Sequence, residues 1–167
     1  GALFRHFPTR AAMLNEAARS AVALLEATIP PASLPPLERL QRFLAARSAL
    51  AAQHPGLPQL VFSEQFGKAL PPKGARALRG VVLRTRDFLA EALAEAGRRG
   101  ELRDDLPPEE LALVVLGSLL ARALLSTFVP EAPSRQADRE AAIDGLLRLL
   151  APPAPSGHRS SKQGARA

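Results

Sequence analysis

The sequence predicts an all-α protein, on the basis of three observations. Alanine and leucine dominate the 167 residues, whereas the β-branched residues that favour strands are scarce. Apolar residues recur at three- and four-residue spacing through long segments. Prolines and glycines, 16 and 11 in number, divide the chain between these segments. We therefore expect a six-helix domain around one core, followed by a tail.

The first two predicted helices lie before residue 55. Thr9 is suited to N-cap a helix that continues to about Ile29, because its hydroxyl can accept a hydrogen bond from the first turn. Two prolines end that helix. The second helix is predicted from Pro35 or Pro36, since proline is favoured in a first turn, to about His54.

Four more helices are predicted after residue 56. A short one covers Leu57 to Phe66, and a long amphipathic one runs from about Gly74 to Ala96 before a pair of glycines. The fifth, residues 109–129, is apolar nearly all round, so it must be buried on more than one side. The sixth covers about 134–150.

Composition and charge exclude several classes of protein. With 47% hydrophobic and 23% charged residues, the chain is neither disordered nor membrane-like. It has no cysteine, and therefore no disulfide framework, thiol nucleophile or thiolate metal site. The formal net charge is +6, but five of these charges come from Arg5, Arg10 and three cations after residue 150. The helical body is therefore close to neutral and predicts no nucleic-acid surface.

The fifth helix approaches the length that crosses a bilayer. Arg122 argues against this interpretation, because a charge near the middle of a lipid-facing helix is costly. The opening residues lack the long apolar region of a signal peptide. We therefore expect a cytoplasmic protein without membrane contact.

The most specific motif lies in residues 1–14, which begin Gly-Ala-Leu-Phe-Arg-His-Phe-Pro-Thr-Arg and continue into an apolar helix. It resembles the end of the helix-turn-helix in TetR/AcrR-type transcriptional regulators. Weaker similarities follow at residues 54–57 and 100–107. The resemblance covers about residues 1–150. It implies that residues 1–8 are a remnant of a DNA-binding domain and that residues 9–150 bind a ligand and dimerise.

The resemblance implies DNA contacts from Gly1, Phe4, His6 and Arg10. Phe4 replaces the usual tyrosine and lacks its hydroxyl, whereas Arg10 keeps the cation of the usual lysine. His6 fits a surface histidine equally well. Because a helix-turn-helix needs two complete helices, we expect an N-terminally truncated chain that does not bind operator DNA specifically, although the intact protein would.

Residues 151–167 are rich in proline, serine, glycine and cations and show no apolar period. This composition predicts a disordered basic tail.

The resemblance also implies a pocket for a small apolar or amphipathic ligand among the middle helices, and apolar walls with few polar groups fit such a site. An ordinary core, with Thr85 bonded to its own backbone, explains the same spacing. The polar stripe of Ser118, Arg122 and Ser126 lines a pocket or faces water equally well. The predicted pocket residues are Phe62, Phe66, Val82, Thr85, Phe88 and Arg122.

The fifth helix is too apolar for a free solvent face, and Gly117 and Ala121 permit close approach of another helix. With the sixth helix it predicts a two-fold four-helix interface in a homodimer. Burial within one subunit explains the same composition. The predicted interface residues are Leu116, Gly117, Leu120, Ala121, Leu124, Ile143, Leu146, Leu147 and Leu150.

The sequence disfavours an enzyme. Its three histidines lie in different segments, it has no tyrosine or cysteine, and no glycine-rich phosphate loop occurs. We expect no metal and no cofactor. The predicted function is the regulatory part of a TetR-like regulator, a repressor released by a small molecule. The alternative is an all-α homodimerisation module without an inducer pocket.

Overall fold

The computed structural model describes residues 9–128 and 136–153. Within these ranges the chain is all-α, as predicted, and contains seven helices and no strand. The predicted DNA-binding remnant and most of the predicted tail lie outside them. The helices are α1 (Arg10–Glu26), α2 (Pro36–Gln53), α3 (Gly56–Phe62), α4 (Glu64–Ala69), α5 (Pro72–Arg98), α6 (Pro108–Phe128) and α7 (Gln136–Leu149).

The described ranges hold seven helices rather than six because the predicted third helix is divided at Ser63. Ser63 is extended (φ −74°, ψ 118°), and its hydroxyl accepts a hydrogen bond from the Phe66 N–H at 3.1 Å. The serine therefore ends α3 and caps α4. The predicted cap at Thr9 is confirmed, since its hydroxyl accepts from the Ala12 N–H at 3.1 Å.

The end of α5 agrees with the prediction at one of the two glycines, Gly100, and differs from it at the other, Gly97. Gly97 lies inside the helix, where a Cβ would come within 3.3 Å of the Asp104 Cβ and 3.4 Å of the Arg103 carbonyl oxygen. A larger residue would therefore push away the following loop. The turn is made three residues later by Gly100, whose φ of +69° favours glycine.

Two apolar clusters form the core, and α5 contributes to both. The larger cluster joins α2, α5, α6 and α7, and its fully buried side chains include Phe43, Leu44, Leu89 and Val115. The smaller cluster joins α1, α2 and α5 around Val81. The long helix thus holds the first half of the chain to the second.

Three contacts between helices show how the helices lie. Asn15 lies beside Gly74, and Glu26 pairs with Arg84, so α1 and α5 run parallel. Arg39 of α2, only 3% exposed, pairs with Glu95 of α5.

The loop after α5 closes on the end of α7. The Arg103 N–H donates to the Leu150 carbonyl at 2.8 Å, and the guanidinium of Arg103 reaches the Leu149 carbonyl at 3.5 Å. These bonds satisfy carbonyls that a helix end leaves free. In the described ranges, no helix combines the length and the hydropathy needed to cross a membrane.

Candidate functional site

The solvent-facing side of α6 carries no charge over three turns. Leu113, Val114 and Leu125 are 55%, 55% and 57% exposed. A Cβ placed on Gly117 would meet nothing within 4 Å, so the backbone itself is open to solvent there. The α6 stripe consists of the exposed residues of this segment: Leu113, Val114, Gly117, Ser118, Ala121 and Leu125.

A second uncharged stripe lies on α7. Its members recur at four-residue spacing, so they share one face of the helix. Three of them are alanine or glycine, and the fourth, Leu149, is 73% exposed. The α7 stripe consists of Ala137, Ala141, Gly145 and Leu149. Exposed apolar surface of this kind is typical of a protein interface.

The structure separates the predicted interface residues into three groups. Gly117 and Ala121 belong to the α6 stripe. Leu150 is 3% exposed and lies within the core of the subunit, so it offers nothing to a partner. The remaining predicted residues are half-buried, several against the larger core cluster: Leu116, Leu120, Leu124, Ile143, Leu146 and Leu147.

The sequence missed the large exposed residues of both stripes. Because α6 is apolar nearly all round, its periodicity does not indicate which side faces solvent. The α7 stripe consists mostly of small residues, whereas the interface residues predicted on this helix are large. The fourfold spacing of alanine and glycine in α7 was the available signal.

The predicted pocket residues do not line one cavity. Thr85 is 5% exposed, and its hydroxyl donates to the Val81 carbonyl at 2.8 Å. Phe62 is 59% exposed. Phe66 packs against the smaller cluster, and Phe88 lies 5.3 Å from the Phe43 ring in the larger one. Val82 is half-buried on α5. The core around Thr85 is therefore closed.

Arg47 adjoins Thr85 and was not predicted. Its guanidinium donates to the Thr85 hydroxyl at 3.3 Å and to the Leu25 carbonyl at 3.4 Å, and lies 5.0 Å from the Phe43 ring centre. Its Nε is buried without an acceptor. Burial lowers the pKa of Arg47 to about 10, so the side chain remains charged at neutral pH. Its position four residues after Phe43, on the apolar face of α2, was the available signal.

Arg122 lines a different space. This is a cleft of about 320 Å³ between α6 and α7, and α2 forms its floor. Ser48 of α2 and Ser118 of α6 supply two hydroxyl groups to this α6–α7 cleft. Arg122 has no ion-pair partner in the part of the chain that the structure describes. The remaining lining is apolar: Leu44, Leu119, Ala142, Ile143, Gly145, Leu146 and Leu149.

The predicted DNA contacts fall at the edge of the described residues. Arg10 begins α1 and is exposed, whereas Gly1, Phe4 and His6 lie outside the described ranges. Within those ranges, no three histidine, aspartate or glutamate side chains come close enough to hold a metal ion.

Neither a protein-family model nor a curated protein sequence matches this chain. Solved structures do match. A bacterial regulatory protein in the tetR family from Rhodococcus RHA1 is 16% identical and has a TM-score of 0.65, covering 90% of this chain and 79% of its own. AibR, solved with isovaleryl coenzyme A and operator DNA, is 20% identical with a TM-score of 0.69, covering 89% and 78%. The chain therefore has the fold of TetR-family transcriptional regulators.

Proposed function

We propose that this chain is the ligand-sensing and dimerisation part of a TetR-like regulator. The observation that carries the proposal is the agreement in fold with a tetR-family protein over 90% of the chain. The opening motif at residues 1–14, read from the sequence, supports it independently.

The proposed regulator is a repressor that a small apolar or amphipathic molecule releases from DNA. In the intact dimer, two recognition helices would match the spacing of two operator half-sites. A ligand that binds more tightly to a dimer whose recognition helices are spaced differently would increase the population of that dimer, which does not fit the operator. AibR was solved with both a ligand and operator DNA, which supports this scheme by analogy. In this proposal residues 1–8 end the recognition helix and residues 9–150 form the regulatory domain.

The α6 and α7 stripes support a homodimer. Leu113, Val114 and Leu125 are each more than half exposed. Completing their burial would contribute about 1 kcal/mol each, or roughly 6 kcal/mol for both subunits. Gly117 and Ala121 let a second helix approach closely. No charge on the α6 stripe opposes its pairing with a copy of itself.

Light scattering at micromolar concentration tests this proposal. We expect a dimer for the unmodified chain and a monomer for Val114→Glu, because the substitution would bury two carboxylates without partners. Leu83→Glu is the matched control, since Leu83 is an exposed apolar residue of α5, outside both stripes, at 43% exposure. A monomeric unmodified chain, or a dimeric Val114→Glu variant, would contradict the proposed interface.

The closed core around Thr85 favours a second candidate, a homodimerisation module without an inducer pocket. Thermal-shift measurements with a library of apolar and amphipathic compounds distinguish the two. A dimer that no compound stabilises supports the module, and a dimer whose Tm rises with the logarithm of ligand concentration above Kd supports the sensor.

A further inference from the structure

We propose that the α6–α7 cleft binds an amphipathic monoanion, a carboxylate carried on a medium-length hydrocarbon chain. This inference rests on the proposed sensing function and assigns its ligand class. It also places the ligand between α6 and α7, whereas the sequence predicted a ligand site around Thr85.

Ser48 supplies the first argument. It is 8% exposed and lines the cleft. A helical serine commonly donates to the carbonyl four residues earlier, as Ser118 does to Val114 at 2.8 Å. The Ser48 hydroxyl has no such bond and no other partner in the described ranges. The residue is buried, but its hydroxyl reaches the open space of the cleft, so the hydroxyl is available to a polar ligand group.

Charge supplies the second argument. Among the described residues that line the cleft, Arg122 is the one charged residue and none is a carboxylate. The nearby Asp144 and Arg148 of α7 are exposed and pair with each other at 2.6 Å, so they leave the charge of Arg122 uncompensated. A guanidinium that shares a cleft with a free hydroxyl donor, that of Ser48, is suited to a carboxylate.

Size and shape supply the third argument. About 320 Å³ lies at the lower end of the range for small-molecule sites. Leu44 at the floor and Leu119 and Ile143 on the two sides offer apolar walls. These walls suit a hydrocarbon chain, with the carboxylate directed to Arg122.

The position of the cleft links occupancy to dimerisation. The cleft lies between the two helices that carry the exposed stripes. Its lining includes Ser118 of the α6 stripe and Gly145 and Leu149 of the α7 stripe. A bound chain would therefore set how the α7 stripe lies relative to α6. Such differential binding is what a ligand needs to shift a dimer between two spacings.

Calorimetric titration of the chain with octanoate tests the inference, with octanol as the uncharged analogue. We expect saturable octanoate binding and much weaker octanol binding. Arg122→Gln should weaken octanoate binding roughly 10- to 100-fold, because a charge-assisted bond is lost. Ser48→Ala should weaken it about fivefold. Arg79→Gln, at an exposed cation of α5 outside the cleft, is the control and should bind as the unmodified chain does.

Three results would overturn the inference: no saturable octanoate binding, equal binding of octanol, or unchanged affinity in Arg122→Gln. Loss of binding in Arg47→Gln with retention in Arg122→Gln would place the ligand in the core instead. Light scattering on the same samples separates the two proposals. A dimer that does not bind octanoate refutes the ligand class alone, whereas a monomer refutes the proposed dimer.

Discussion

The ion pair between Arg39 and Glu95 predicts an asymmetric response to removing either partner. Arg39 is 3% exposed, whereas Glu95 is 28% exposed and also pairs with Arg99 at 2.5 Å. Glu95→Gln therefore leaves a buried cation without a counter-ion. Loss of one member of a buried pair costs about 3–5 kcal/mol. The expected loss is smaller, about 2–3 kcal/mol, because Glu95 is partly exposed and because the amide oxygen of the introduced glutamine can still accept a hydrogen bond from Arg39.

Arg39→Met removes the buried charge itself and keeps an apolar stem of similar length. Glu95 keeps Arg99 and its contact with water, so the expected loss is only about 1 kcal/mol. The double variant should resemble Arg39→Met, because no stranded cation remains. Urea unfolding followed by circular dichroism, at one protein concentration for all four proteins, measures these differences. If Arg39→Met costs as much as Glu95→Gln, the reasoning fails.

Two further predictions use the same assay. Gly74→Ala would place a methyl group 2.8 Å from the Asn15 side-chain oxygen and 3.3 Å from the Ala18 Cβ, so it should destabilise by about 1 kcal/mol. Gly80→Ala, in the same helix, meets only the movable end of an arginine and should stabilise by about 0.5–1 kcal/mol; equal effects would refute the steric argument. Arg47→Met should be neutral or stabilise by about 1 kcal/mol at pH 7, since it removes a half-buried charge without a carboxylate partner. Because folding lowers the pKa of Arg47 to about 10, this advantage should shrink above pH 10, and a constant difference would argue against it.

The helices could be predicted largely because local signals mark their ends. The Thr9 hydroxyl and the proline at the start of α2 act within one turn, so the sequence contains the whole interaction. The break between α3 and α4 at Ser63 is equally local. It was not predicted because the apolar residues on both sides of it have the spacing of one continuous helix. Gly97 depends on a loop that packs against it, and that contact is visible only in the folded chain.

The candidate site could be predicted only in part, because its residues come from three distant segments. Ser48 on α2, Ser118 and Arg122 on α6, and Ile143 on α7 meet at the cleft through the packing of their helices. Arg122 could be predicted because it is a charge in an apolar helix. Ser48 gave no such signal, since its missing hydrogen bond appears only when its neighbours are in place.

The closure of the α5–α6 loop over the end of α7 has a practical consequence for protein engineering. The Leu150 carbonyl accepts a hydrogen bond from the Arg103 N–H, and the Leu150 side chain is buried, so both its backbone and its side chain are held by the rest of the fold. Ala151, Pro152 and Pro153, which follow Leu150, are exposed. A fluorescent label or an affinity tag joined after Pro153 would leave the hydrogen bond and the packing of Leu150 unchanged. Removing Leu150 would take away both and would destabilise the last helix.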